Sequence, residues 1–272
     1  MTPPEFSKAF RHLRNGNSID RSAILSAREW IINTARSAQG DPVVCGTAAS
    51  IMLGTEWYDD DFTIELIRQP TCSGRPAEGS VTRRVDLDAA DIVMIDGIKV
   101  TSPLRTAFDL LRIKPAWRAL GYVSMLARAV EIDPKELLRY AQRQRHVRHV
   151  VQARELALLV DKRAESPPEC WVAHLMFKAE LPTPDVQIKV ADESGWVFAK
   201  IDLGYEALRI GIEYDGEDFH STPEQQAHDE ERQAKLEELG WIIIRVDKKR
   251  LREDPFGVVV EINTALRARG AY

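Results

Sequence analysis

Lys200-Ile201-Asp202-Leu203-Gly204-Tyr205 and, a short gap later, Ile212-Glu213-Tyr214-Asp215-Gly216 are the two segments whose reading decides the fold. Side chains alternate faces along a strand. In the first segment Val197, Ala199, Ile201 and Leu203 make an apolar face, which leaves Phe198, Lys200 and Asp202 on the other. In the second, Ile210, Ile212 and Tyr214 share one face, and Glu213 and Asp215 share the opposite one. If residues 204–207 turn the chain, the strands form an antiparallel hairpin. One register then sets Asp202 opposite Glu213 and Lys200 opposite Asp215; a slip of two residues keeps the faces and changes the partners. Two carboxylates at about 4 Å repel by roughly 4 kcal/mol at an effective dielectric of about 20. Three on one face call for compensation. A hard divalent cation with oxygen ligands supplies it, Mg²⁺ usually taking one or two carboxylates plus phosphate oxygens. The plainer alternative is a solvated hairpin whose charges pair with Lys200, Arg209 and nearby helix residues.

The flanks extend the pattern. Upstream, Ser166-Pro167-Pro168-Glu169 is a helix start, with Ser at the cap, Pro at the first position and Glu at the third. This helix runs to about residue 180 and stops at Leu181-Pro182. Glu169 is therefore as well placed for a capping box as for a metal. Strands are expected at 185–190, 196–203 and 208–215. A polar helix over about 223–239 ends at Gly240, and Asp229 and Arg232 read as a salt bridge along it. Residues 241–246 form a buried strand, with Trp241 in the core, and a last helix covers about 255–269. The unit, residues 164–272, has the order αβββαβα.

Residues 1–163 read as a second, mixed α/β unit. Helical segments over 5–40 end at the turn Gly40-Asp41-Pro42. Strand-like runs at 43–45, 62–67, 80–87 and 92–100 surround a short helix at 47–53, with Asp96-Gly97 a hairpin signal. Pro103 opens a helix through Arg112, with Ser102 as its N-cap and Arg105 and Asp109 as an i,i+4 pair. Helices at about 117–130 and 134–145 follow. Residues 139–154 are the most basic stretch, and Arg143, Arg145 and Arg148 are its candidate phosphate contacts. A solvated linker helix is the alternative.

The 272 residues, 44% hydrophobic and 29% charged, are enough for two cores. No apolar run approaches the roughly 20 residues of a membrane helix. Residues 1–10 lack a secretory pattern, and Cys45, Cys72 and Cys170 form no C-x-x-C pair. A cytoplasmic protein with no membrane partner is expected. The net charge of −5 splits into +4 over residues 1–163 and −9 over 164–272, which points to two units with different tasks.

Residues 164–272 resemble the endonuclease-like domains related to very-short-patch repair endonucleases, in the PD-(D/E)XK (restriction-endonuclease-like) superfamily. Glu169, Gln187, Asp202, Glu213, Asp215-Gly216, His220, Asp229, Arg232, Gly240-Trp241 and Arg245 carry the likeness. It implies that Asp202 and Glu213 hold Mg²⁺ (or Mn²⁺) beside the scissile phosphate, with Glu169 completing the shell directly or through water. It implies that His220 is a general acid/base. The motif's lysine is Asp215 here, and Lys200 or Lys235 is the replacement.

Less strongly, residues 23–155 resemble the antitoxin domain of AbiEi-like (type IV) toxin–antitoxin proteins, through Val44-Cys45-Gly46-Thr47-Ala48-Ala49-Ser50 and the run from Val100 to Asp109. Residues 1–22 carry Lys8, Arg11, Arg14 and Arg21 without a helix-turn-helix pattern, so the family's N-terminal winged helix is expected to be short or degenerate. The resemblances imply DNA and a toxin or other protein as partners. Two functions follow: a metal-dependent DNA endonuclease or nickase in phage defence or repair, or a non-enzymatic DNA-binding antitoxin-type regulator on an inactive nuclease fold.

Overall fold

The computed structural model describes residues 25–216 and 223–271. The expectations for residues 1–22 and for His220 lie outside the described residues. The chain divides between Lys162 and Arg163 into two units. The described residues form ten helices and two mixed sheets.

In the first unit, Ser26 and Glu29 close a capping box at the start of α1 (Ala27–Ser37). There follow β1 (Val43–Cys45), α2 (Gly46–Met52), β2 (Ile64–Arg68), β3 (Ser80–Arg84), β4 (Ile92–Ile95) and β5 (Ile98–Thr101). The sheet order is β3-β2-β1-β5-β4, with β1–β5 and β2–β3 parallel. Asp96 and Gly97 take φ of 49° and 75°, the two positive values that a two-residue hairpin turn needs. Four helices complete the unit: α3 (Pro103–Leu111), α4 (Ala116–Val130), α5 (Pro134–Arg143) and α6 (Val150–Ala157). Ser102 caps α3 by accepting from the Arg105 N–H, and Arg105 pairs with Asp109 at 2.8 Å. The basic stretch is not one linker helix. The chain leaves α5 after Arg143 and turns through His146 and His149, both at positive φ (57° and 60°), before α6 begins.

The second unit opens with α7 (Pro167–Lys178), followed by β6 (Asp185–Ala191), β7 (Val197–Tyr205) and β8 (Ile210–Asp215). Then come α8 (Pro223–Glu238), β9 (Ile242–Asp247), α9 (Lys248–Glu253) and α10 (Pro255–Ala268). The sheet order is β6-β7-β8-β9, and only β8–β9 is parallel. That pair needs a crossover, which α8 supplies. The short α9 was not expected from sequence; Asp247 caps it by accepting the Arg250 N–H at 2.6 Å.

β7 does not keep one apolar face, which corrects the simple alternation. Leu203 and Tyr205 pack with Val172, Met176 and Val258, whereas Ala199 and Ile201 pack with Leu236 and Trp241. A Cβ on Gly211, which pairs with Gly204, would meet Ile201 Cγ2 at 2.9 Å, so Ile201 shares Gly204's face rather than Leu203's. The step falls at Asp202. The β6–β7 ladder pairs Val186 with Leu203 and Ile188 with Ile201, and between them Gln187 takes φ 57°. A left-handed residue in a strand turns the following side chains over, and both strands change face there.

Candidate active site

The step in the sheet builds the site. Past Leu203↔Ile212 the β7–β8 ladder ends, and the Tyr214 N–H donates instead to the side chain of Asp202, at 2.9 Å from Oδ2. The same register, continued by one residue, sets Asp202 across from Glu213. β8 stays paired with β9 on its other side as far as Asp215↔Asp247. The two antiparallel strands therefore part where the two carboxylates stand.

Burial pushes the Asp202 carboxyl up to about 7. The Tyr214 N–H and Lys200 pull it down, while Glu169 and Glu213 push it up further. Three carboxylates are thus brought together from α7, β7 and β8. Two of them are buried and have donors. Glu169, 5% exposed, accepts from the Glu165 N–H (3.0 Å), the Ser166 hydroxyl (2.8 Å) and Gln187 Nε2 (2.7 Å). Ser166 precedes the helix without capping it through its hydroxyl, and Glu169 takes the Glu165 N–H rather than that of Ser166, so the expected capping box does not form. Glu213, 6% exposed, receives both terminal nitrogens of Arg232 on α8, at 2.7 and 3.0 Å. Asp202 has the Tyr214 N–H alone among described hydrogen-bond donors.

The remaining candidates are spread wider. Lys200 is exposed and pairs with Glu165 at 2.5 Å, near enough to Asp202 to act on it. Lys235 pairs with Glu231 one turn back on α8, at 2.7 Å, and sits 6.0 Å from the ring of Phe198. Asp215, raised first by burial, faces Arg245 at 3.8 Å. Arg143, Arg145 and Arg148 are exposed in the N-terminal unit.

Among the described residues, no group of three His, Cys, Asp or Glu side chains is arranged to hold a metal ion. The donor chemistry nevertheless fits a hard cation. Asp202 sits among like charges with one oxygen that no described donor engages, and Gln187 Oε1, on a side chain fixed to Glu169, is buried without a partner among the described residues. Asp202 and Glu213 would hold the cation, Glu213 exchanging Arg232 for it.

Two residues of this site had no role from sequence. Arg232 reads as an i,i+3 partner of Asp229, yet that contact is 4.0 Å and its close partner is Glu213. The signal was present: Arg232 lies four residues before Leu236, a fully buried residue of α8, and so faces the sheet. Gln187 was visible as a matching residue, but its positive φ was not.

Residues 39–159 match the family described as AbiEi antitoxin C-terminal domain, and residues 185–266 match the family REase_MTES_1575. Two Mycobacterium tuberculosis proteins are similar to the chain: uncharacterized protein MT2308 of strain CDC 1551 / Oshkosh and uncharacterized protein Rv2248 of strain ATCC 25618 / H37Rv. Each is 30% identical over 236 residues, 85% of this chain and 84% of its own length. No solved structure matches.

Proposed function

The chain belongs to the family that joins an AbiEi antitoxin C-terminal domain to a restriction-endonuclease-like domain, and on that premise we propose that its C-terminal unit is a metal-dependent DNA endonuclease or nickase. The N-terminal unit binds DNA or a toxin partner, with Arg143, Arg145 and Arg148 as phosphate contacts. The observation that carries the reading is the parting of β7 and β8 at Asp202 and Glu213, which leaves a mutually repelling acidic pair, one member buried and the other half-buried, at a strand opening.

In this reading Asp202 and Glu213 hold Mg²⁺ or Mn²⁺, and Glu169, fixed by Gln187, sets the charge behind them. When bound there, the cation polarises a phosphate oxygen and lowers the pKa of an attacking water. Lys200 places a positive charge beside Asp202, where negative charge develops on the phosphate. His220 exchanges the proton with the nucleophile or leaving group. Asp215, at the position of the motif's lysine, supplies no cation, so Lys200 carries that task.

One observation favours the non-enzymatic reading, an antitoxin-type DNA-binding regulator on an inactive nuclease fold: Arg232 already satisfies both oxygens of Glu213. The experiment that separates the two is conversion of supercoiled plasmid to nicked or linear DNA by the full chain with Mg²⁺ or Mn²⁺. Cleavage that EDTA and Asp202→Asn both abolish supports the nuclease. No cleavage by the wild type under either cation leaves the regulator.

A further inference from the structure

The N-terminal unit contains a cavity of about 320 Å³ between α3, the end of β3 and the connection from α5 to α6. Its volume is within the range of about 300–1,000 Å³ typical of small-molecule sites. Four guanidiniums, of Arg83, Arg105, Arg112 and Arg148, line it against the carboxylates of Asp86 and Asp109.

Two of the arginines are pre-set. Arg105 and Arg112 stand seven residues apart, on one face of α3 and its C-terminal cap. Asp109, between them, holds both: Arg105 Nε at 2.8 Å and Arg112 Nη1 at 2.7 Å. Arg105 Nη1 also donates to Asp91 (3.1 Å), which Tyr140 fixes from behind at 2.8 Å. Arg112 Nε donates to the Arg148 carbonyl at 2.8 Å, with its guanidinium 5.3 Å from the Phe108 ring centre. In both arginines Nη2 has no hydrogen bond to a described residue. Asp91 and Asp109 together balance these two guanidiniums and Glu65 pairs with Arg83, so the cation at the cavity without an ion pair to a described residue is Arg148. Burial holds Arg112 below its ordinary range, and Arg105 and Arg83 add to that against the pull of Asp109. Arg148, from the chain's most basic stretch, is exposed at the rim and makes no ion pair with a described residue.

We propose that this cavity binds a small phosphomonoester, its dianionic phosphate on the Arg105–Arg112 fork with Arg148 closing over it and its organic part against the half-buried Val85 and Val147. Val85 and Val147 give the wall an apolar part beside the arginines, which favours an organic phosphate over the inorganic ion. The two guanidiniums, each fixed through Nε and Nη1, keep Nη2 as a donor that no described residue takes, and guanidiniums are the preferred partners of phosphate oxygens.

The test is calorimetric titration of the full chain with nucleoside 5′-monophosphates, inorganic phosphate and the bare nucleosides at matched ionic strength. The expected result is binding of a monophosphate that exceeds that of inorganic phosphate and of the nucleoside. Arg112→Gln and Arg148→Gln should each weaken it by about tenfold or more, and Lys135→Gln, exposed on α5, should leave it unchanged. Arg112→Gln removes a bridge to Asp109 that also supports the fold; Arg148→Gln removes none, so it decides the matter alone if the former is unstable. No binding of any monophosphate at millimolar concentration, equal affinity in wild type and Arg148→Gln, or loss of duplex DNA binding in these variants with no small-molecule binding would each overturn the proposal.

Discussion

Arg232 presents its two terminal nitrogens to the two carboxylate oxygens of Glu213, at 2.7 and 3.0 Å, with side-chain exposures of 20% and 8%. The guanidinium thus neutralises one member of the acidic pair and leaves Asp202, the other, without a cation of its own. The resting site is half-compensated: stable enough to fold, and still short of positive charge at Asp202.

Arg232→Met should expose the cost of that arrangement. Removing one partner of a buried pair leaves the other uncompensated, and the variant should lose about 3 kcal/mol in chelator-containing buffer. Added Mg²⁺ should return most of it, because the cation then has both carboxylates free. Urea denaturation with and without Mg²⁺ measures this. The wild type should gain less from Mg²⁺ than the variant does.

Acidity gives a second check. The Asp202 carboxyl is raised from 3.8 to about 7, so between those values the folded protein keeps a proton that the unfolded chain has released. Stability from this group is complete below about pH 4 and is lost as pH rises to about 7, roughly 4 kcal/mol in all. Hydrogen exchange of the β8 amides in EDTA should therefore quicken across that window. In Asp202→Asn the slope should flatten, and protection at pH 8 should exceed that of the wild type.

The close approach of β7 and β8 beside the site rests on two glycines. A Cβ at Gly204 would lie 2.3 Å from the Ile210 carbonyl oxygen, a backbone atom that cannot step aside. At Gly211 it would meet Ile243 Cδ1 at 2.7 Å and Ile201 Cγ2 at 2.9 Å, the ends of movable side chains. Gly204→Ala should cost about 3 kcal/mol and Gly211→Ala about 1–2 kcal/mol, as read from urea midpoints. Equal costs would mean that the strands do not approach at Gly204 as described.

The two lysines divide by position. Lys200 acts on Asp202 from β7, while Lys235 is bound to Glu231 along its own helix. Lys200→Met should lower plasmid cleavage by about 100-fold, the equivalent of roughly 3 kcal/mol in the transition state, and Lys235→Met should change it little. Equal small losses would leave neither lysine as the replacement.

The element order of the second unit and the antiparallel hairpin of β7 and β8 were legible from period-2 alternation and the turn between the segments, and one of the two registers open to the sequence, the one that sets Asp202 across from Glu213, is the register of the ladder. The change of face at Asp202 was not legible, because it depends on a left-handed Gln187, a residue type with no marked preference for positive φ. Arg232 was hidden for another reason. An i,i+3 acidic neighbour is the simpler partner in one dimension, and only the packing of Leu236 turns that helix face onto β8. Ser102, Arg105 and Asp109 were legible as local helix chemistry. The hydrogen bonds of Ser102 and Arg105 to Asp91, which Tyr140 also holds, join segments too far apart in sequence for spacing to show.

The most direct measurement is anomalous scattering from crystals of the full chain soaked in Mn²⁺. The expected result is a manganese peak bound by Asp202 and Glu213, with the Arg232 guanidinium withdrawn from Glu213, and no peak in Asp202→Asn. An empty site at saturating Mn²⁺, with Arg232 still paired to both oxygens of Glu213, would contradict the account.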